Sequence, residues 1–249
     1  MTPLTSGAGV ELAYRERGAG TAVLLIHGMA ADAESWGPVA ERLAERARVI
    51  AYDRRGYGAS QAPEGYRRTT VQEQAQDAES VLRSLDADPV VLCGEDFGAL
   101  ICLELALRHA LSLAGLVLVE PATLALVPQA TEALSAQRSE LERALREHGP
   151  SGAVEVWLSG WGDDPNHDPD RLARARGDVA GFFADYAGLA SLPVTRRELR
   201  GLTVPTRVVD GPGTPSHLVA AGRVLAELIP GAVRRSDGDV VAAVLELLP

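Results

Sequence analysis

Apolar and polar positions switch between two periods along the chain. Val10 to Arg17 alternates, as a half-exposed strand does, and Thr21 to His27 is an apolar run suited to burial on both faces of a sheet. Trp36 to Ala47 has helical spacing, and Arg48 to Asp53 returns to a strand pattern. Thr70 to Leu85 predicts a helix with Val71, Ala75, Ala78 and Leu82 on one face. Pro89 to Cys93 reads as a strand, Phe97 to His109 as a helix and Leu113 to Val119 as a strand. Such alternation specifies a mostly parallel sheet covered by helices on both faces.

Thr123 to Gly201 breaks the pattern, because it lacks any continuous β-branched run. Glu132 to Glu147 is a charged amphipathic helix, and Ala153 to Gly160 and Arg171 to Ala187 are further helices, with a loop from Gly162 to Pro169. Thr206 to Val209 rejoins the sheet. Ser216 to Ile229 is a helix, Ala232 to Arg235 a short strand and Val240 to Leu248 the last helix.

The junction at residues 94–98 reads Gly94-Glu95-Asp96-Phe97-Gly98. A strand-to-helix turn this tight has no room for side chains on its flanks. Two glycines satisfy it, and the middle residue is held strained with its side chain presented. This is a nucleophile elbow with aspartate where serine more often sits. Aspartate implies attack on carbon, or proton transfer, rather than serine-type acyl transfer. The bland alternative is a turn in which Asp96 is only a helix N-cap.

Other stretches carry the reading further. Val23 to Ala30 contains Ile26-His27-Gly28-Met29, and Val49 to Ser60 contains Asp53-Arg54-Arg55-Gly56-Tyr57-Gly58-Ala59-Ser60. Leu116 to Pro121 follows the elbow helix, and Val204 to Gly211 is a late strand. In this order they resemble the α/β-hydrolase superfamily: its His-Gly oxyanion loop, its Asp-x-Arg-Gly-x-Gly-x-Ser turn, the strand after the elbow helix and the strand before the usual acid. The resemblance implies an α/β-hydrolase fold with a core of residues 1–122 and 202–249. Residues 123–201 would form a helical cap inserted after the sixth strand, shaping the pocket and excluding water. The aspartate elbow points to the epoxide hydrolase and haloalkane dehalogenase branch. There the aspartate forms an ester with an alkyl carbon, and a histidine activates the water that clears it.

The resemblance assigns the oxyanion hole to the backbone N–H groups of Met29 and Phe97. It also exposes departures. Ala30 stands where that branch more often has proline, and Phe97 where it commonly has a tryptophan whose ring nitrogen could bind halide. Glu95 stands where histidine is frequent. Two adjacent acids in a poorly solvated turn would push one pKa up, as a general acid requires; alternatively Glu95 faces away. The late acid aligns near Thr214, which is not acidic, and Asp210 falls one residue before the glycine. Glu120, at the end of the strand after the elbow, is the preferred substitute; otherwise it caps strand-end N–H groups. The triad histidine aligns with Asp239 in a shortened loop, and no histidine follows His217.

Of the five histidines, His27 belongs to the oxyanion loop, His109 ends a helix and His148 lies in a charged helix. His167 in the cap loop could reach inward. His217, on the catalytic face, is the best substitute base. Aromatics are only 4% of the chain, yet Trp157, Trp161, Phe182, Phe183 and Tyr186 all fall in the cap. Trp157, Trp161, Phe182 and Tyr186 would line a substrate pocket with His27 and Trp36, Tyr186 serving as proton donor. The alternative is that they pack cap to core.

The net charge of −10 argues against nucleic acid and anionic membrane as partners. Cys93 and Cys102 read as buried small hydrophobes. No leader or long apolar run is visible, so a cytoplasmic location is expected. No phosphate loop, metal-ligand cluster or dinucleotide fingerprint is present, so no cofactor and no metal are expected. A homodimer is compatible with the chain. The Ala-, Arg- and Gly-rich composition fits a bacterial enzyme of secondary metabolism. The leading expectation is an epoxide hydrolase-like enzyme acting on an apolar small molecule through Asp96, with His217 or a carboxylate as base. Two alternatives stand: a cyclase, isomerase or lyase using Asp96 and Glu95 as acid and base, and a pseudoenzyme that only binds its ligand.

Overall fold

The computed structural model describes residues 2–108, 110–127, 130–160 and 169–249. Among them eight strands form one sheet: β1 (Leu4–Ser6), β2 (Glu11–Arg17), β3 (Ala22–Ile26), β4 (Arg48–Tyr52), β5 (Val90–Glu95), β6 (Leu113–Val119), β7 (Thr206–Val209) and β8 (Val233–Arg235). Their order is β1-β2-β4-β3-β5-β6-β7-β8. β1 and β2 pair antiparallel, as do β2 and β4, and every other pairing is parallel. β1 was not expected; three residues are too few to show a period.

The central strands are apolar throughout because both faces are covered. Leu24, Ile26, Val90, Leu92, Leu116 and Leu118 face one layer, and Val23, Leu25, Val91, Cys93, Val117 and Val119 the other. The first layer holds α2 (Val71–Ser84), α3 (Phe97–Arg108) and α8 (Ser216–Leu228); the second holds α1 (Gly37–Leu43) and α9 (Val240–Leu245). In α2 the Thr70 side chain accepts from the Glu73 N–H, and Val71, Ala75, Ala78 and Leu82 are buried as the spacing requires.

Between β6 and β7 lie α4 (Ala130–Gly160), α5 (Pro169–Gly177), α6 (Val179–Gly188) and α7 (Arg196–Arg200). The two helices expected at 132–147 and 153–160 are the two segments of α4, parted where Gly149 leaves helical conformation (φ 71°, ψ −177°) ahead of Pro150. The single helix expected over 171–187 is two, broken at Asp178 just after Gly177. Trp36 precedes its helix in a 3₁₀ turn, Ala33–Trp36. No helix among the described residues is long and apolar enough to cross a membrane.

Candidate active site

At the elbow a methyl on Gly94 would collide with the Gly98 carbonyl, and one on Gly98 with the Ile26 carbonyl. The two glycines therefore let α3 start directly over β3 and β5. Asp96 takes φ 51° and donates its N–H to the Val119 carbonyl at 3.0 Å. Ala30 (φ 51°) and Glu120 (φ 45°) share the left-handed region. Positive φ in non-glycine residues costs energy and clusters where surrounding structure imposes it.

Asp96 is buried. Its Oδ2 accepts the Met29 N–H at 3.1 Å, so one carboxylate oxygen occupies the expected oxyanion position. Oδ1 is buried with no hydrogen-bond partner among the described residues. Burial pushes the Asp96 carboxyl up to about 6, opposed by the Met29 and Phe97 N–H groups and then by the Arg54 charge.

His27 does not reach toward substrate, because both ring nitrogens serve the backbone. Nε2 accepts the Arg54 N–H at 3.0 Å, so it carries no proton, and Nδ1 lies 2.8 Å from the Gly28 carbonyl, to which it donates. Burial holds its pKa well below the ordinary value, keeping the ring neutral.

Behind this loop lies an assembly that sequence reasoning missed. Arg54 is wholly buried. Its Nε donates to the His27 carbonyl (3.0 Å) and its Nη2 to the Gly28 carbonyl (2.9 Å). The same guanidinium grips Asp185 of α6 with both forks, at 3.0 and 2.5 Å. Asp185 also receives the Tyr57 hydroxyl (2.6 Å) and the Gln74 amide (3.4 Å). Burial alone would lower the Arg54 pKa, but the Asp185 charge carries it up, so the cation persists. α6 comes this close because Gly181 lies against Gly56 and Tyr57, and Gly188 against Thr69 and Phe97.

The opposite side is looser. Glu120 is half-buried, and its Oε1 accepts the Thr214 hydroxyl at 2.5 Å. That oxygen of Thr214 in turn accepts the Gly211 N–H at 2.7 Å. Glu120 thus leans toward the β7 loop, where the resemblance puts an acid. His217 is half-buried in the first turn of α8, and burial lowers its pKa. Asp210 pairs with Arg234 at 2.6 Å. Asp239 accepts the Ala242 N–H at 3.0 Å and caps α9. Glu95, last in β5, is half-buried, and its charge helps raise the Cys93 thiol.

The cap aromatics divide. Phe182 is wholly buried and makes edge contacts with Trp157 and Phe183, both at 5.2 Å between centroids. Tyr186 stacks on Phe182 at 6.3 Å beside the exposed Arg138 and Glu142 of α4, on the solvent side of the cap. Trp36 packs with Leu43 and Val49 in the α1 layer, on the sheet face away from the cap, so it is a core residue. Trp161, His167 and His109 lie outside the described residues. An aliphatic cavity of about 230 Å³ opens between α3 and the cap, with Leu100, Leu126, Leu134 and Leu192 in its walls and Thr123 at its edge. Among the described residues no three His, Cys, Asp or Glu side chains cluster as metal ligands would.

Residues 21–150 match the family model described as alpha/beta hydrolase fold. Over 119 residues the chain is 35% identical to the uncharacterized hydrolase YraK of Bacillus subtilis (strain 168), covering 47% of this chain and 43% of that relative. It therefore spans less than half the length of that protein. Over 223 residues it is 29% identical to the 2-(acetamidomethylene)succinate hydrolase of Mesorhizobium japonicum, covering 85% of this chain and 77% of the relative. Among solved structures, the enol-lactonase from Burkholderia xenovorans LB400 superposes with a TM-score of 0.77 at 26% identity, over 98% of this chain and 99% of the other.

Proposed function

Because the chain belongs to the α/β-hydrolase fold family, we propose that it is an enzyme of that family acting on an uncharged, apolar small molecule, with Asp96 attacking an alkyl carbon as an epoxide hydrolase does. The observation that carries this is the inequality of the two carboxylate oxygens: Oδ2 is tied to the Met29 N–H and Oδ1 is bare. A bare, desolvated oxygen is the more nucleophilic one. Attack by Oδ1 on a ring carbon breaks the carbon–oxygen bond and leaves an alkoxide, which takes a proton from solvent or a nearby acid. Oδ2 becomes the ester carbonyl, already at the Met29 N–H. Water adding at the carboxyl carbon would place negative charge on Oδ2, where that donor stabilises it, and collapse would release a diol and regenerate Asp96. The aliphatic cavity supports an apolar substrate. The names of the relatives support hydrolysis as a class.

The deacylation half has no imidazole in its usual place, since Asp239 stands there as a helix cap. Glu120 and His217 are the groups we assign to moving the water's proton. One observation favours a second reading: a carboxyl held near pH 6 is poised to exchange protons, which suits a cyclase, isomerase or lyase using Asp96, with Glu95, as acid and base. Intact mass after incubation with a panel of epoxides and alkyl halides separates them, with Asp96→Ala as control. A gain of one substrate mass, confined to protein with Asp96, is the expected result, because slow deacylation leaves the ester standing. Isomerised product without adduct or diol would replace it with the acid–base reading. Binding with neither adduct nor product would leave a ligand-binding protein.

A further inference from the structure

The peptide unit joining Gly28 to Met29 is held at both ends. Its N–H is the donor to Asp96 Oδ2, and its carbonyl accepts both the Arg54 guanidinium (2.9 Å) and the His27 Nδ1–H (2.8 Å). Donors at a carbonyl polarise the amide and strengthen the hydrogen bond its N–H makes, and here one donor is a full cation in a dry site. Arg54 is aimed by the two-forked grip of Asp185, which belongs to the cap and lies 131 residues away in sequence.

We propose that Asp185 is a positioning residue: through Arg54 and the Gly28–Met29 peptide, the docked cap helix α6 sets the strength and direction of the oxyanion donor that holds Asp96. The oxyanion hole is then assembled across the cap boundary and is complete only with α6 seated. This goes beyond the reaction proposed above and depends on it only for the catalytic consequence.

The groups facing Asp185 are Arg54, Tyr57 and Tyr66 from the segment after β4, and Gln74 from α2. Asp96 feels Arg54 and Asp185 with opposite signs. Removing the Asp185 charge favours ionised Asp96 through space whether or not Arg54 stays aimed, so the positioning is read from the Met29 hydrogen bond at a pH where Asp96 is ionised. The test is a pH titration of the Met29 amide resonance in the isotopically labelled full chain, with no substrate present. In the native protein that resonance should move with a midpoint near 6. In Asp185→Asn the Met29 amide proton should move upfield at pH 8, where Asp96 is ionised, because Arg54 is no longer aimed at the Gly28 carbonyl. Arg54→Lys keeps the charge but cannot span Asp185 and two carbonyls, so the Met29 amide proton should move upfield at pH 8 as its hydrogen bond weakens. A Met29 amide proton unmoved at pH 8 in a natively folded Asp185→Asn protein would overturn the proposal. If that variant does not fold, an unchanged Met29 resonance in Arg54→Lys would overturn it instead. Because no turnover is read, failure here leaves the Asp96 reaction untouched, and failure of that reaction leaves this result standing.

Discussion

The two flanks of Asp96 are built to different standards. On the Met29 side the charged and ring groups are buried and multiply partnered: His27 by both nitrogens, Arg54 by two carbonyls and a carboxylate, Asp185 by three donors. On the β7–β8 side, the polar groups do ordinary structural work: Asp210 is salted to Arg234, and Asp239 caps α9. The first flank is a dry, hydrogen-bonded surround for a carboxylate; the second is partly open and holds Glu120 and His217. The difference teaches that a buried, multiply bonded anion site and a looser polar flank can sit on either side of one carboxylate. Under the function proposed above, the preorganised flank carries the charge stabilisation, and Glu120 and His217 on the looser flank carry the proton.

The sharpest attempt to break this contrast is Asp96→Ala. It should suppress adduct formation by more than about 10³-fold, followed by mass spectrometry over time. Adduct at the native rate would relocate the nucleophile and dissolve the comparison. Next, Arg54→Met should cost about 3–5 kcal/mol in urea unfolding, because it leaves Asp185 charged and buried without its partner. A cost under about 1 kcal/mol would mean that the well-built flank is no better secured than the other.

Asp96 itself should be a liability for stability. Its carboxyl sits at about 6 in the folded protein against 3.8 ordinarily, so between those values the folded state holds the proton more tightly. Stability therefore falls as pH rises from 4 through 6. Asp96→Asn should be more stable than the native protein by about 3 kcal/mol at pH 8, with most of the gain gone by pH 4. Adduct formation, which needs the carboxylate, should rise with pH through the same midpoint. Equal unfolding midpoints at both pH values would remove the penalty. The smallest effect is reserved for Asp239→Ala: about 1 kcal/mol from a lost cap, with adduct formation unaltered. Loss of reaction there would show that the loose flank still does chemistry.

The elbow could be read from the chain because its requirement is local. Two glycines, an apolar run before and a helix after leave little else that Gly94 to Gly98 can do. Buried strands declare themselves similarly, through unbroken apolar runs such as Val90 to Cys93. The Arg54–Asp185 pair could not be read that way. Its partners are far apart in sequence, and an aspartate after Phe182-Phe183-Ala184 resembles any acid on an amphipathic helix. The available signal was spacing: Gly181, Asp185 and Gly188 share one helical face with Ala184, too small a face for ordinary core packing. Trp36 shows the reverse error, since a large aromatic near the oxyanion loop in sequence lies across the sheet from the cap.

The close seating of α6 has a bearing on how this protein can change. A methyl at Gly181 would come within 2.6 Å of the Gly56 carbonyl, and one at Gly188 within 2.7 Å of the Thr69 carbonyl. Neither position accepts a side chain without moving backbone, so the seat of α6 cannot drift by single substitutions there. The aliphatic positions Leu126, Leu134 and Leu192 of the cavity have no such constraint and can trade volume among themselves.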